Sequence, residues 1–423
     1  MVLNHDIKRV MAVSKAAKIQ AKVAAVDRAE TPSAMEPLLL SQSFKGRDHL
    51  NDLVLQLSMA SEGLRRSLPS PMVSAVADLV RGMNCYYSNL IEGHNTHPVD
   101  IERAISNDYS EDPLKRNLQL EARAHIEVQR WIDDGGVQGR CTTLGAILEI
   151  HRRFGDLLPK ELLLVTEPET GRTLRVTPGE LRDRDVRVGR HVPISPGALT
   201  GFLRRFEEVY GSIGRLETLI AAAGAHHRLL WIHPFLDGNG RVARLMSHAV
   251  FLEVLHTGGL WSVARGLAHS KGAYKEHLAK CDAPRQGDLD GRGALSEKAL
   301  GDFTRFLLEV CLDQVRFMEE LMQPKRLRTR ILLWAEEETK NGLLPPKSGQ
   351  LLDAALYRGE IPRGEVATLL ETSERSARRV ASALVDRGVF RSESSRAPLR
   401  LAFPAGLAGR WMPGLFPDHP AQA

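Results

Sequence analysis

The chain has 423 residues, 43% of them hydrophobic, and its four cysteines lie far apart without paired spacing. This length suits two or three domains, and no apolar run approaches the roughly 18 residues that a membrane-spanning helix needs. Lysine and arginine outnumber aspartate and glutamate by 57 to 52, an excess too small to mark the whole chain as a polyanion binder. The cysteine spacing favours neither a zinc site nor a disulfide framework. We therefore expect a cytoplasmic protein without a membrane partner.

The first 44 residues are interpreted as a basic, helical N-terminal arm. Near its start, cationic residues alternate with alanines and valines, at Lys8, Arg9, Lys15, Lys18 and Lys22. From residue 45 to residue 324, apolar residues recur at three- and four-residue steps, which predicts a mainly α-helical domain. Residues 216–231 are apolar on nearly all sides and predict a buried central helix.

A helix predicted over about residues 74–93 carries two polar residues on one face. Ser88 and Glu92 are four positions apart, so their side chains project in the same direction, and Gly93 suits the end of the helix. A serine and a glutamate at this spacing are also ordinary on a surface helix.

Residues 163–195 interrupt the helical pattern. Short runs typical of strands at 163–165, 173–176 and 186–188 are separated by glycines and prolines. This composition predicts a β-hairpin carried on a helical scaffold.

The twelve residues from His233 to Arg244 combine groups that suit a nucleotide triphosphate. Gly238 and Gly240 let backbone N–H groups approach a phosphate without a side chain between them. Residues 242–255 have helical periodicity, so the glycines would precede a helix N-terminus, where the free amides and the helix dipole favour anions.

The side chains of the same segment add chemistry to this backbone cradle. Arg241 and Arg244 share a helix face and offer two guanidinium groups to neighbouring phosphates. Asp237 suits Mg²⁺, which is usually held by one or two carboxylates together with phosphate oxygens. His233 can accept a proton from an attacking hydroxyl.

The string HPFLDGNGRVAR resembles the signature of Fic-domain proteins, HxFx[DE]GNGRxxR, at every specified position. Fic proteins typically transfer AMP from ATP to a serine, threonine or tyrosine hydroxyl of a target protein and release pyrophosphate. The resemblance implies that His233 is the general base, Asp237 the Mg²⁺ ligand and Arg244 the γ-phosphate ligand. The ATP-binding residues that it implies in the signature are Gly238, Asn239, Gly240, Arg241 and Arg244.

The upstream pattern is similar to the inhibitory motif [ST]xxxE[GN] of Fic proteins whose inhibitory helix precedes the catalytic core. The resemblance implies that Glu92, accompanied by Ser88, forms a bidentate pair with Arg244 and occupies the donors that the γ-phosphate needs. We therefore expect an autoinhibited resting state. The sequence leaves open the alternative that Glu92 orients a water for removal of AMP.

Two further segments resemble parts of Fic proteins. Residues 177–193 are similar to the flap that docks an extended segment of the target, with the docking residues Val186, Arg187, Val188 and Gly189. Tyr274 lies in a segment similar to the nucleotide-side helix and is predicted to bind ATP, although the asparagine and second aromatic often found there are missing.

After residue 324 the composition changes, which marks the main domain boundary. Residues 325–404 are predicted to form helices followed by two short strands, before a tail at 405–423, and they resemble the winged helix-turn-helix often attached to such proteins. Three arginines of one predicted helix are candidates for DNA contact: Arg375, Arg378 and Arg379. Winged helices also bind proteins.

These patterns predict a mainly α protein with a Fic-type helical core, a β-hairpin flap and a C-terminal winged helix-turn-helix. The expected function is autoinhibited transfer of AMP from ATP, with Mg²⁺, to an unidentified target protein or to the chain itself. Homodimerisation stays open. The alternative is a DNA-binding transcriptional regulator that uses the nucleotide site as a sensor, for which loss of His233 would leave DNA binding intact.

Overall fold

The computed structural model describes residues 26–167 and 171–417. Most of these residues are helical, which confirms the predicted mainly α-helical fold. Within this part of the chain, no helix is both long and apolar enough to span a membrane. The five basic residues near the start of the predicted arm lie outside the described residues.

The described part of the predicted arm is not an α-helix. Residues 26–44 contain a single 3-10 turn at Pro32–Met35, and Pro37 follows it at a position where proline prevents continuation of a helix. The segment instead runs across the helical domain, where Leu38 is buried and its carbonyl oxygen accepts a hydrogen bond of 2.8 Å from the Tyr210 hydroxyl. It therefore belongs to the core of the larger part of the chain.

The larger part of the chain is a succession of helices. In chain order they are α1 (Arg47–Arg66), α2 (Ser70–Glu92), α3 (Pro98–Ile105), α4 (Pro113–Asp133), α5 (Leu144–Asp156), α6 (Leu199–Tyr210), α7 (Arg215–Ile232), α8 (Asn239–Leu255), α9 (Val263–His269), α10 (Lys271–Cys281) and α11 (Glu297–Leu321). Short 3-10 helices lie at Lys160–Leu163 and Pro196–Ala198.

Helix α7 is the predicted central helix, and the structure confirms its position and its burial. It packs against α8, α11, α6 and α1, and nearly all of its residues from Leu219 onward are buried. Small residues on α7 allow this close packing: a Cβ added at Gly224 would lie only 2.8 Å from the Leu38 carbonyl oxygen. The end of α7 is therefore a rigid platform for the loop that follows it.

A two-stranded antiparallel hairpin interrupts the helices where the sequence predicts it. Strand β1 (Leu164–Thr166) pairs with β2 (Thr173–Arg175), and Val165 lies opposite Leu174. This observation confirms the predicted hairpin for the first two of the three predicted runs.

The C-terminal part of the chain consists of short helices around a small sheet. The helices are α12 (Pro324–Lys340), α13 (Ser348–Arg358), α14 (Val366–Leu369), α15 (Glu374–Asp386) and α16 (Ala408–Trp411), with 3-10 helices at Arg363–Glu365 and Ala405–Leu407. The strands are β3 (Glu360–Ile361), β4 (Phe390–Arg391) and β5 (Leu399–Leu401), in the antiparallel order β3–β5–β4. The assignment of this unit as a winged helix stays a prediction.

The predicted boundary after residue 324 falls close to the break between α11 and α12, but the core continues across it. The end of the chain packs back onto α2, where the Tyr87 hydroxyl donates a hydrogen bond of 3.0 Å to the Leu415 carbonyl. The Arg391 guanidinium on β4 lies 3.1 Å from the Asp78 carboxylate on the same helix. The C-terminal unit thus contacts the helix that carries Ser88 and Glu92.

Candidate active site

The loop between α7 and α8 brings the signature residues to one place. At the end of α7, His233 takes a left-handed backbone conformation with a φ of 52° and turns the chain away from the helix. The loop ends at Gly238, whose φ of 81° lies in the region that favours glycine, and α8 begins at Asn239. The free N–H groups at the start of α8 therefore lie beside the loop, as an anion site requires.

The side chain of Asn239 maintains the shape of this loop. Its Oδ1 accepts a hydrogen bond of 3.0 Å from the Phe235 N–H, and its Nδ2 donates one of 2.9 Å to the Phe235 carbonyl. Both ends of the buried amide are thus used within the loop. These bonds hold the side chain of Asn239 within the loop, whereas its backbone N–H belongs to the start of α8.

The environment of His233 suits a proton acceptor. The ring Nδ1 lies 3.3 Å from the Leu230 carbonyl oxygen, which can only accept, so the neutral ring carries its proton on Nδ1 and leaves Nε2 as the acceptor. Burial lowers the pKa of His233 to about 4, so the imidazole is neutral at pH 7.

Glu92 and Ser88 meet Arg244 as the upstream pattern predicts. Helix α2 ends at Glu92, whose Oε1 lies 2.5 Å from Arg244 Nη2. Arg244 Nε donates a hydrogen bond of 2.9 Å to the Ser88 hydroxyl, and Nη2 lies 3.3 Å from the Ser88 carbonyl oxygen. The expectation of a bidentate carboxylate pair is wrong in this detail, because Ser88 covers the Nε edge and leaves one carboxylate oxygen for the guanidinium.

The charges of this pair depend on each other. Burial is the largest single influence on Glu92 and opposes its ionisation, but the charge and the hydrogen bond of Arg244, together with the charges of Arg241 and His94, hold the pKa of the carboxyl below its ordinary value. The carboxylate lies over the first turn of α8: a Cβ added at Gly240 would collide with its Oε1 and would lie 3.1 Å from Arg244 Nη1. Glycine at 240 therefore makes room for an anionic group at the start of the helix.

The first arginine of the signature is held by residues that the sequence analysis missed. Arg241 Nη2 lies 3.2 Å from Glu121 Oε2 on α4 and 3.4 Å from His94 Nδ1. His94 Nδ1 in turn lies 2.8 Å from the same Glu121 oxygen. His94 follows Gly93 directly, so its place beside the upstream pattern was an available signal, whereas nothing around Glu121 in the sequence marks it.

Asp237 is the only exposed carboxylate of the loop between α7 and α8. Its side chain forms no hydrogen bond or ion pair with any described residue, and it lies next to the N-terminus of α8. The described residues contain no cluster of three or more metal-ligating side chains. A single unengaged carboxylate beside a phosphate cradle fits Mg²⁺, whose remaining ligands would be phosphate oxygens and water.

The third predicted run, at residues 186–188, does not form a strand, which corrects that prediction. Val188 and His191 exchange two backbone hydrogen bonds of 3.0 Å around a tight turn, and Gly189 has a φ of 60°. The surrounding segment is held by a side chain instead of a neighbouring strand. Val188, Gly189 and the Arg187 side chain are exposed, while Val186 is half-buried.

That side chain is Arg182, which the sequence analysis did not identify as a site residue. Its buried guanidinium donates hydrogen bonds to the carbonyl groups of His233 (2.8 Å), Arg184 (2.8 Å) and Ile194 (2.5 Å). Because it lies in an arginine-rich run, nothing in the sequence distinguishes it from its exposed neighbours. Arg182 ties the predicted flap to the residue that begins the signature.

Tyr274 lies on α10 but does not present an open surface for a nucleotide, which corrects its assignment as a direct ATP contact. It is 3% exposed, and its hydroxyl lies 2.7 Å from His226 Nε2. The other ring nitrogen of His226, Nδ1, is hydrogen-bonded to the Ser247 hydroxyl at 2.9 Å. The tyrosine therefore belongs to a buried polar chain between α7, α8 and α10.

Another buried histidine, His151 on α5, contacts the signature loop. Its ring is stacked on Phe235 with the ring centres 3.8 Å apart. Its Nε2 lies 3.2 Å from the Asp237 carbonyl oxygen. The sequence analysis missed this residue because an isolated histidine on an amphipathic helix has no distinguishing pattern.

Residues 142–251 match the model of the Fic/DOC family. The matched region runs from the start of α5 through the hairpin, α6 and α7 to α8, and it includes the whole signature but not α2.

Among curated proteins, the chain is 30% identical over 232 residues to the protein adenylyltransferase Fic of Drosophila willistoni, covering 50% of this chain and 42% of that protein. It is 37% identical over 178 residues to the protein of the same name from Drosophila persimilis, covering 40% of this chain and 30% of that protein. The chain thus spans less than half the length of these relatives. A solved Fic family protein from Desulfovibrio desulfuricans aligns with a TM-score of 0.46 and 15% identity over 83% of this chain and 96% of that one.

Proposed function

We propose that the chain, whose residues 142–251 match the model of the Fic/DOC family, transfers AMP from ATP to a hydroxyl group of a protein. The observation that carries the proposal is the meeting of a neutral His233 with a glycine-lined helix N-terminus and two arginines. Such a site has a proton acceptor next to a triphosphate cradle. The names of the relatives as protein adenylyltransferases support the same reaction.

In the proposed reaction, the target hydroxyl oxygen attacks the α-phosphorus of ATP. The new O–P bond forms as the bond from the α-phosphorus to the bridging oxygen breaks, and pyrophosphate leaves. His233 Nε2 takes the hydroxyl proton, since Nδ1 is engaged with Leu230. Backbone N–H groups from Gly238 to Gly240 and the guanidinium groups of Arg241 and Arg244 stabilise negative charge on the phosphates. Asp237 would hold Mg²⁺, which supplies further charge neutralisation when bound.

The proposed resting state is inhibited by Glu92. Its carboxylate takes Arg244 Nη2 and lies over the first turn of α8, where a γ-phosphate would need the same cation and the same space. Two anionic groups cannot share this position without strong repulsion. ATP would therefore bind in the active arrangement only after Glu92 moves away. Water activation by Glu92, for the reverse removal of AMP, is the other role that this position allows.

The acceptor is proposed to be a serine, threonine or tyrosine of a target protein or of the chain itself. The exposed segment at residues 187–189 would contact an extended segment of the target and set which hydroxyl reaches the α-phosphorus. Because residues 188–191 form a tight turn and not a strand, the target would contact only a few residues of the flap.

The proposal is tested by mass spectrometry of protein incubated with ATP and Mg²⁺. The Glu92→Gly variant is expected to acquire AMP, on itself or on added cell proteins, at least about tenfold faster than the wild type. His233→Ala in the Glu92→Gly background is expected to lose about a hundredfold or more of this rate.

A matched control is Glu336→Gly, the same exchange on the exposed face of α12, where Lys340 is the one ion-pair partner of Glu336 among the described residues. This variant should acquire AMP at the same rate as the wild type. Equal labelling by the wild type and Glu92→Gly would remove the inhibitory role, and labelling that survives His233→Ala would remove the proposed base.

A second candidate function is DNA binding by the C-terminal unit. Arg375, Arg378 and Arg379 on α15 are exposed, and they form no hydrogen bond or ion pair with any described residue. Three unengaged guanidinium groups on one helix suit phosphates or base edges of a duplex. If the protein is a DNA-binding transcriptional regulator, its nucleotide site would act as a sensor.

This candidate is tested by titrating duplex DNA at several salt concentrations. Replacing the three arginines with glutamine is expected to lower the affinity and to reduce the slope of log K against log salt by about three. His233→Ala should leave binding unchanged. Wild-type protein that does not bind DNA at low salt would exclude the regulator.

A further inference from the structure

We propose that His151 is a positioning residue that fixes the signature loop and the start of the flap segment, residues 177–193, to each other through one imidazole. The inference rests on the proposed function, because it concerns how the site for that reaction is held in shape. His151 lies on α5 and is 5% exposed, so we place it among residues that hold the site and not among those that touch a substrate.

The imidazole makes a contact on each of its edges and on one face. The Gly179 N–H, at the start of the flap segment, donates a hydrogen bond of 2.9 Å to Nδ1. Nε2 lies 3.2 Å from the carbonyl oxygen of Asp237. The ring face stacks on Phe235 with an interplanar angle of 2°. Two segments that are far apart in sequence thus meet at one side chain.

The two hydrogen bonds determine the tautomer of the ring. A neutral imidazole has one donor and one acceptor, and an N–H that points at Nδ1 requires this nitrogen to be the acceptor. The proton therefore lies on Nε2, which donates to the Asp237 carbonyl.

Both segments pack closely enough against α5 to be fixed by these bonds. A Cβ added at Gly238 would lie 3.5 Å from His151 Cδ2, and one added at Gly179 would lie 2.8 Å from Cβ of Arg152. The peptide between Asp237 and Gly238 is therefore oriented by the ring, and with it the exposed Asp237 carboxylate. The same ring holds the base of the flap that would present the target.

The positioning role is separated from simple core packing by three substitutions in the Glu92→Gly background. His151→Phe keeps a stacking ring and loses both hydrogen bonds. His151→Asn can place an acceptor near the Nδ1 position and restore the bond from Gly179. His151→Gln can place a donor near the Nε2 position and restore the bond to Asp237.

Two readouts follow the two segments. The flap is followed without nucleotide by the rate of trypsin cleavage at the exposed Arg187 and Arg190, measured by mass spectrometry. The loop is followed by the KM for MgATP and the kcat of AMP transfer. His151→Phe is expected to raise both the cleavage rate and the KM by about fivefold. His151→Asn should restore slow cleavage with a raised KM, and His151→Gln should do the reverse.

The control is His227→Phe, which removes a buried histidine that contacts Leu278 and Asp282 instead of the loop. It should lower stability without raising flap cleavage. If His151→Phe does not fold, the Asn and Gln variants decide, since a positioning role requires opposite patterns in the two readouts. The inference would be overturned if His151→Phe kept the cleavage rate and the KM of the Glu92→Gly parent. It would also be overturned if the Asn and Gln variants changed the cleavage rate and the KM in the same way as each other. Failure of Glu92→Gly itself to transfer AMP would instead sink the proposed function and leave the cleavage arm valid.

Discussion

The imidazole of His233 is neutral and the carboxylate of Glu92 is charged, although both groups are buried in one site. Burial disfavours the charged form of both groups, and His233 becomes neutral because no carboxylate pairs with its ring among the described contacts. Glu92 stays ionised because Arg244, with further help from the charges of Arg241 and His94, more than offsets the cost of burial. At the scale of residues, the same environment therefore gives a ready base and a charged inhibitor.

A direct titration of His233 tests this account. Because burial lowers its pKa to about 4, the neutral form should persist well below the ordinary value near 6.5. In protein with ¹³Cε1-labelled histidine, the resonance that disappears in His233→Ala should stay in its neutral position from pH 8 down to about pH 5. A midpoint near 6.5 for this resonance would contradict the buried, neutral base.

At the scale of elements, the position of Glu92 depends on how α2 ends. Gly93 ends the helix with a φ of 94°. Its N–H caps the last turn by donating a hydrogen bond to the Leu90 carbonyl. The next residue, His94, can then turn toward Glu121 and Arg241. One left-handed residue thus directs a carboxylate to Arg244 and an imidazole to the ion pair of Arg241.

Gly93→Ala is predicted to weaken this arrangement without filling any space. The structure has open space where the new Cβ would lie, so the cost comes from the left-handed backbone alone, about 1 kcal/mol. AMP transfer should rise above that of the wild type but stay below that of Glu92→Gly, and urea unfolding should show the lost stability.

A matched control for this prediction is Gly63→Ala within α1. Gly63 has ordinary helical geometry and open space for a Cβ, so alanine should stabilise the protein by roughly 0.5–1 kcal/mol. AMP transfer should not change. A Gly93→Ala variant as inactive and as stable as the wild type would show that the helix end does not control Glu92.

At the scale of the whole molecule, the helical core encloses several neutral histidines. Burial lowers the pKa of His125 and His226 to about 3 and that of His151 and His227 to about 4. They lie on α4, α5 and α7, so the effect extends through the larger part of the chain. Each of these groups binds a proton more readily in the unfolded chain than in the folded protein.

Mild acid is therefore predicted to destabilise the protein. The unfolded chain takes up protons as the pH falls through about 6.5, while the folded histidines stay neutral until about 3 to 4, so stability falls with pH across this window. At pH 5 each of the four histidines would cost up to about 2 kcal/mol. Urea unfolding at pH 7.5 and pH 5 should show the loss, and His227→Phe should reduce the difference. Equal stability at the two pH values would contradict it.

The sequence predicted the helical fold, the central helix and the first hairpin because their signals are local. Periodic apolar residues and glycine or proline breaks act over a few positions, and the structure agrees with them for α7 and for β1 and β2. The run at residues 186–188 shows the limit of such patterns. Its alternation suits a strand, but a strand also needs a partner, and Arg182 holds this segment by side-chain bonds instead.

The sequence by itself determined the chemical groups of the signature and the helix that carries Ser88 and Glu92. It also determined that these two side chains share one helix face. A motif and a helical repeat are properties of residues close together in the chain, so the sequence records them directly. Only the tertiary structure decided that Arg244 takes a single oxygen of Glu92, that Tyr274 is buried against His226, and that Glu121, Arg182 and His151 hold the site. These contacts join residues far apart in the chain. Their geometry depends on how whole helices pack, which no local pattern of residues records.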